Sequence, residues 1–299
     1  MKLLDFGSLN IDHTYQLPHL VRPGETLASD SYHKSEGGKG FNQAVALAKA
    51  GQEVYLAGAI GQDGLFLRDY LQELGVHTEQ LRVLDAPTGH AMIQLDAEGQ
   101  NCIILFSGTN GMITEAMIDE VLAEFGTGDY LLLQNEISHV DSIIRAAHAR
   151  GMHIILNSLP ISPELLTWPL ELVEWFILNE IEGKDITGET QPQAILDELL
   201  RRYPACHVVL TLGEHGSIYA DATQRIYQGI VATHAVDTTA AGDTFTGYFI
   251  HALLKGEGVQ QALKTAACAS AITVSRPGAG RSIPTAEEVR AAMKGARQG

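Results

Sequence analysis

The chain has 299 residues, 45 % of them hydrophobic, with a formal net charge of −16 and a pI of about 5.1. That length suits one large α/β domain or two small ones, and that charge argues against nucleic acid or an anionic membrane as a partner. Cys102, Cys206 and Cys268 lie far apart, so neither a disulfide framework nor a zinc spacing is present.

The N-terminus carries no signal-peptide pattern and no apolar run is long enough to span a membrane, so a soluble, cytoplasmic protein is expected. In chain order, Leu3–Gly7 reads as a first strand, followed by a loop over Ser8–His13. Asn10 and Asp12 then fall at a strand's carboxyl end, where open α/β sheets bind ligands, although both types also simply favour turns. Residues 14–34 read as polar and irregular. Glu36-Gly37-Gly38-Lys39-Gly40-Phe41-Asn42-Gln43-Ala44 is a glycine loop opening a helix that runs through Ala50 and stops at Gly51. It is not a Walker A loop, because Gly40 follows Lys39 where Ser or Thr is required. Lys39 and Asn42 offer donors there, or are a solvated lysine and a helix-start asparagine.

Glu53–Ile60 reads as a strand, followed by Gly61-Gln62-Asp63-Gly64 and a helix through Leu74 that Gly75 stops. From Leu81 to Leu105 short alternating runs predict a small sheet of hairpins extending from the main body. From Thr114 on, strands alternate with helices: 114–125 helix, 130–134 strand, 138–150 helix, 153–157 strand, 175–178 strand, 191–203 helix, 207–212 strand. That rhythm predicts a mostly parallel sheet covered by helices on both faces, a three-layer doubly wound α/β fold. Polar residues follow several strands, namely Asn135-Glu136, Asn179-Glu180 and Gly213-Glu214-His215-Gly216, and would line one edge of that sheet. Helices over 259–274 and 285–294 close the chain.

The most informative stretch is Asp237-Thr238-Thr239-Ala240-Ala241-Gly242-Asp243-Thr244-Phe245-Thr246-Gly247. Small and hydroxyl residues give way after Gly242 to the 3–4 apolar spacing of a buried helix, with Ala241, Gly242 and Asp243 in its first turn. Unpartnered N–H groups at a helix start bind anions, commonly phosphate. A carboxylate in the same turn suits transfer of a phosphoryl group to a hydroxyl; the bare pattern is equally that of a helix start capped by aspartate.

Gly37–Ala44 and Asp237–Gly247, in this order and separation, resemble the two signatures of the PfkB (ribokinase) family of carbohydrate kinases, and the resemblance spans essentially the whole chain. It implies a single ribokinase-like domain over 1–299, with a small β-sheet lid built from about 14–36 and 81–106 that also forms a homodimer contact. It implies transfer of the γ-phosphoryl group of ATP to the 5-hydroxyl of a sugar, D-ribose giving D-ribose 5-phosphate; other sugars and nucleosides are the alternatives within the family. Asp243 would be the base, with Ala241 and Gly242 an anion hole. Asn10, Asp12, Gly38, Lys39, Asn42 and Glu136 would hold the sugar. Asn179, Thr211, Gly213, Gly216 and Gly242 would serve ATP, and Glu182 its Mg²⁺. Asp237, Thr239, Thr273, Arg276, Gly278 and Ser282 would surround an activating K⁺. Phe41 departs from the family, which often has a small residue there, and the resemblance places it by the wall of the sugar site or the lid. A sugar- or nucleotide-binding regulator without chemistry would have no need of Asp243 beside Gly242 and Lys39. A dehydrogenase is disfavoured because no Gly-x-Gly-x-x-Gly follows the first strand.

Overall fold

The chain begins with three strands, β1 (Leu3–Phe6), β2 (Asn10–Gln16) and β3 (Ser31–Gly37), before its first helix, α1 (Lys39–Ala50). Then follow β4 (Tyr55–Gly61), α2 (Leu65–Glu73), β5 (Leu81–Leu84), β6 (Gly89–Leu95), β7 (Asn101–Phe106) and α3 (Glu115–Leu122). The next stretch holds β8 (Tyr130–Gln134), α4 (Val140–Ala149), β9 (His153–Asn157), β10 (Trp175–Asn179), α5 (Glu180–Thr187) and α6 (Pro192–Arg202). The chain ends with β11 (His207–Thr211), β12 (Ser217–Ala220), β13 (Arg225–Gln228), α7 (Ala241–Leu254), α8 (Val259–Val274) and α9 (Ala286–Gly295). This is a computed structural model that describes residues 1–157 and 163–295.

The main sheet runs β13-β12-β11-β10-β9-β8-β1-β4-β5. Every pairing in it is parallel except those of β12 with β11 and with β13. Its strands are apolar on both faces because helices cover both. Leu132, Ile155, Ile177 and Val209 pack with Leu47, Phe249 and Leu263, from α1, α7 and α8. Their neighbours Leu131, Leu133, Ile154 and Leu156 pack on the other face with Ile118, Ile143 and Leu199, from α3, α4 and α6. Full burial of such side chains contributes about 1.5–3 kcal/mol each, which fixes the register and the three layers. The doubly wound expectation is met. Among the described residues, no helix is long and apolar enough to cross a membrane.

A second, four-stranded sheet has the order β3-β2-β6-β7. Three expectations change here. Asn10 and Asp12 are not in a loop at the end of β1: they lie on β2, which pairs antiparallel with β3 and parallel with β6. Residues 14–34, expected to be irregular, begin and end in strand. The alternation of Asn10, Asp12 and Thr14 with Ile11, His13 and Tyr15 is a strand pattern that the turn preference of Asn and Asp conceals. Leu81–Leu84, expected in the small sheet, instead pairs parallel with β4 at the edge of the main sheet. The short elements α5, β12 and β13 went unnoticed in the sequence.

Candidate active site

The glycine loop and the late helix meet across the carboxyl ends of the parallel strands. Gly38 caps α1 with φ 93° and the side chain of no other residue would fit: a Cβ there would stand 2.8 Å from Asn10 N and 2.9 Å from Ser8 O. That close approach sets Lys39 and Asn42, one helical turn apart, beside Asp243 on α7. Asn42 Nδ2 donates to Asp243 Oδ2 (3.1 Å), Gln43 Nε2 donates to Oδ1 (2.9 Å), and Lys39 Nζ stands 3.8 Å from Oδ1. Asp243 is nearly buried, at 7 % exposed.

Glu136, just beyond β8, accepts from Lys39 N (3.2 Å) and from the Ser8 hydroxyl. Burial pushes its carboxyl above the usual range, against the pull of Lys39, Ser8 and the Lys39 amide. Burial alone would lower the Lys39 ammonium, but the negative charges of Asp243, Glu136 and Glu182 outweigh it and hold the group above its ordinary value. Asn10 Oδ1 accepts from Asn110 Nδ2 (2.8 Å), which fixes its amide. Asp12 packs against Gly37, where any Cβ would run into its carboxylate. Burial first, and the like charge of Glu136 second, push the Asp12 carboxyl from 3.8 to about 7. Asp12 lines a cleft of about 1080 Å³ between the two sheets, together with Thr238, Thr239 and Arg281. The structure thus brings Asn10, Asp12, Gly38, Lys39, Asn42, Glu136 and Asp243 into one polar cluster.

A second cleft, of about 520 Å³, is continuous with it at Thr238 and opens on the start of α7. Thr211, Gly213, Gly216, Ala241 and Gly242 line it, with apolar walls from Ile230, Val231 and Val274. Ala240, before the helix, is held in the left-handed region at φ 59°, a conformation that costs an alanine about 1–2 kcal/mol and clusters at functional turns. The N–H of Ala241 is engaged by Thr238 O (3.2 Å) and that of Thr244 by Ala240 O. Among the described residues, the N–H groups of Gly242 and Asp243 donate to no carbonyl, and a Cβ on Gly242 would meet nothing within 4 Å. The open donors are therefore one residue further along than the expected Ala241–Gly242 pair. Asn179 sits in register beside Thr211, and with Glu182 it forms a capping box for α5: Asn179 N donates to Glu182 Oε2 (3.2 Å) and Glu182 N to Asn179 Oδ1 (3.0 Å).

Of the remaining expected residues, Asp237, Thr239 and Gly278 form a joint between two loops, while the side chains of Thr273, Arg276 and Ser282 bond elsewhere. Asp237 Oδ1 accepts from Thr239 N and Oδ2 from Gly278 N, both at 2.9 Å. Thr273 is buried on α8, its hydroxyl donating to Thr244 Oγ1 (3.0 Å). Arg276 pairs with Glu288 (2.6 Å), and the Ser282 hydroxyl donates to Ala279 O (2.7 Å). Among the described residues, no group of three or more His, Cys, Asp or Glu side chains could hold a metal by itself. Phe41 does not line the first cleft: it is fully buried and stacked on Tyr70 at 6.1 Å, because α1 turns that position toward α2.

Sequence reasoning missed Gln43, Ser8 and Asn110. Gln43 adjoins Asn42 within a motif already singled out; Asn110 has no local signal, its contacts with β2 spanning 100 residues of chain.

The fold and the two adjoining clefts are those of a small-molecule kinase, and the chain belongs to the PfkB family: the profile of the pfkB family carbohydrate kinases matches residues 2–286. It is 34 % identical to the ribokinase of Haemophilus influenzae over 94 % of this chain and 95 % of that protein. Among solved structures it resembles ribokinase from Cryptococcus neoformans in complex with ADP (TM-score 0.86, 35 % identity, 97 % of this chain and 99 % of that one). It also resembles Arabidopsis thaliana ribokinase complexed with ribose and ATP (TM-score 0.85, 30 % identity, 98 % of each chain).

Proposed function

We propose that this carbohydrate kinase transfers the γ-phosphoryl group of ATP to the 5-hydroxyl of D-ribose, giving D-ribose 5-phosphate. The observation that carries the reading is the position of Asp243: a buried carboxylate in the first turn of α7, beside two open backbone N–H groups and 3.8 Å from Lys39. Asp243 Oδ2 takes the proton of the attacking hydroxyl. The Gly242 and Asp243 amides, more than that of Ala241, face the charge that develops on the transferred group, and they need no reorganisation at that moment. Lys39 neutralises the same region. Asn10, Asp12, Asn42 and Glu136 read the sugar hydroxyls from the small sheet and α1, with Gly38 giving close backbone approach. ATP lies in the cleft of Thr211, Gly213, Gly216 and Gly242, with Asn179 at its phosphate end.

Mg²⁺ is held by one or two carboxylates and the phosphates in most such sites. Glu182, buried and close enough to bias Lys39, fits that requirement, and the ion would screen the charge of the phosphates. K⁺ takes oxygens, and the Asp237 carboxylate, in the joint with Thr239 and Gly278, fits such an ion; the carbonyls of Thr273 and Arg276 and the Ser282 hydroxyl would complete its shell. There it would brace the loop ahead of α7. The small sheet acts as a lid that keeps water from the reacting groups. Its β7 is exposed along its whole length, with Ile104 and Phe106 59 % and 51 % exposed, which supports pairing of two lids in a homodimer.

The test is ADP release with D-ribose, 2-deoxy-D-ribose, hexoses and nucleosides. A site whose buried polar groups engage each hydroxyl rejects the analogue lacking one, so kcat/KM for D-ribose is expected to exceed that for 2-deoxyribose by at least ~100-fold. Faster phosphorylation of a deoxy sugar, a hexose or a nucleoside would leave the kinase class and remove ribose.

A further inference from the structure

A line of buried polar side chains runs from the base back under the sheet. Gln43 Nε2 donates to Asp243 Oδ1 (2.9 Å) and to Asn157 Oδ1 (3.1 Å). Gln43 Oε1 accepts from Gln134 Nε2 (2.8 Å), and the same nitrogen donates to Asp5 Oδ1 (2.9 Å). Gln43, Gln134 and Asp5 are all fully buried, on α1, β8 and β1. None of them lines the sugar or nucleotide cleft.

We propose that Gln43, Gln134 and Asp5 are positioning residues: a chain of side-chain amides, closed at its buried end by a carboxyl group, that holds Oδ1 of Asp243 so that Oδ2, which also accepts from Asn42, is presented to the sugar hydroxyl. This rests on the reading of Asp243 as the base. The donors have a single direction. An ionised Asp243 can only accept, so Gln43 must turn its NH₂ group to it and its carbonyl to Gln134. Gln134 must then turn its own NH₂ group to Gln43, and its second N–H falls on Asp5. Two groups at the far end stay unsatisfied, Asp5 Oδ2 and Gln134 Oε1, and both are acceptors. Leaving two buried acceptors unpaired forfeits the hydration that both would have in the unfolded chain. One proton on Asp5 Oδ2 makes it the donor for Gln134 Oε1 and closes an acid–amide ring on the bond already present. Burial drives the Asp5 carboxyl well above the usual range; the Gln134 bond opposes this and the charge of Asp243 adds to it. A neutral acid at that end completes the chain without placing a second negative charge behind the base.

The titratable groups facing Asp243 are Lys39 on α1, Glu136 beyond β8 and Asp5 on β1. Among the described residues, the side chains of Lys39 and Glu136 make no hydrogen bond to that of Gln43, so substitution of Gln43 tests the chain apart from them. Gln43→Met keeps length and removes both donors. Its kcat with D-ribose is expected to fall ~10–100-fold, the effect of a reacting group displaced by about 1 Å, with KM for ATP unchanged. In the Asp243→Asn background the same substitution is expected to cost less than about threefold more, since residues that act through one another are not additive. Gln134→Met, which keeps the Gln43–Asp243 bond, is expected to give a smaller kcat loss that also vanishes in that background. Equal losses in both backgrounds, or parental turnover in a folded Gln43→Met protein, would overturn the chain while Asp243→Asn remained impaired. Normal turnover of Asp243→Asn would instead overturn the base itself. The neutral end has its own readout: at about pH 8, well above an ordinary carboxyl, the infrared carbonyl band of a protonated acid should be present and should disappear in Asp5→Asn. Its absence from the parent protein would refute a proton on Asp5.

Discussion

Asp12 is placed where binding a sugar and folding make opposite demands, and Asp12→Asn separates them. In the sugar-free protein burial, aided by Glu136, raises its carboxyl from 3.8 to about 7. Between those two pH values the folded chain keeps a proton that the unfolded chain has released. Stability from this group therefore falls as pH rises through the window, and the loss is complete above about pH 7. A displacement of about three pH units corresponds to at most ~4 kcal/mol; the side chain is only half-buried at the mouth of a wide cleft, so ~2 kcal/mol is the working figure. Asparagine keeps the shape without the charge. For a chain of this size that is expected to raise Tm at about pH 8 by roughly 3–6 °C, with the gain shrinking toward about pH 4, where the native aspartate is neutral in both states. The assay is thermal unfolding of both proteins across that range without sugar. A lower Tm for Asp12→Asn at pH 8, or a difference independent of pH, would refute the reasoning. With sugar the ranking should reverse: ribose hydroxyls donating to an ionised Asp12 favour that form, so the KM of the parent for ribose should fall as pH rises through about 7.

Asp243→Asn is expected to lower kcat by roughly 10²–10⁴, the usual contribution of a general base, with the protein still folded by circular dichroism; near-normal turnover removes the assignment. Activity should rise with KCl and much less with NaCl, because the smaller ion suits fewer and shorter oxygen contacts, and Asp237→Ala should abolish the difference; equal activation by an organic cation salt would rule out the site. Charges placed on the exposed lid strand, Ile104→Glu with Phe106→Glu, should convert a dimer to a monomer in sedimentation, and a parent that sediments as a monomer at micromolar concentration excludes pairing through that strand.

How much of this was legible in the sequence follows from how local each signal is. The strands β8 and β9 and the helix α8 could be placed to the residue, because uninterrupted apolar runs and a long Ala-rich stretch carry their own periodicity. The two glycine-containing segments announced a backbone made to approach a ligand, and they do meet. The strand β2 was hidden because Asn10 and Asp12 are turn formers whose strand conformation is imposed by pairing with β3 and β6. The strand β5 was misassigned for a related reason: four residues, Leu81–Leu84, do not say which sheet they will join, and that is decided by the main-sheet edge left open at β4. Phe41 looked like a ligand-side residue because it lies within the motif, yet one step along a helix turns a side chain by about a quarter turn, here into the core. The polar line behind Asp243 was least visible, since Asp5, Gln43 and Gln134 are far apart in sequence and each looks like an ordinary polar residue until the sheet buries them together.

The most direct test of the account is the identity of the product. Purified protein with D-ribose labelled with ¹³C, ATP, Mg²⁺ and K⁺ should yield a sugar in which C5 and its neighbour C4, and no other carbon, are coupled to phosphorus in NMR spectra, with one ADP formed per phosphorylated sugar, and Asp243→Asn should form it at a small fraction of that rate. Phosphorus on another carbon, or ATP hydrolysis without a phosphorylated sugar, would contradict it.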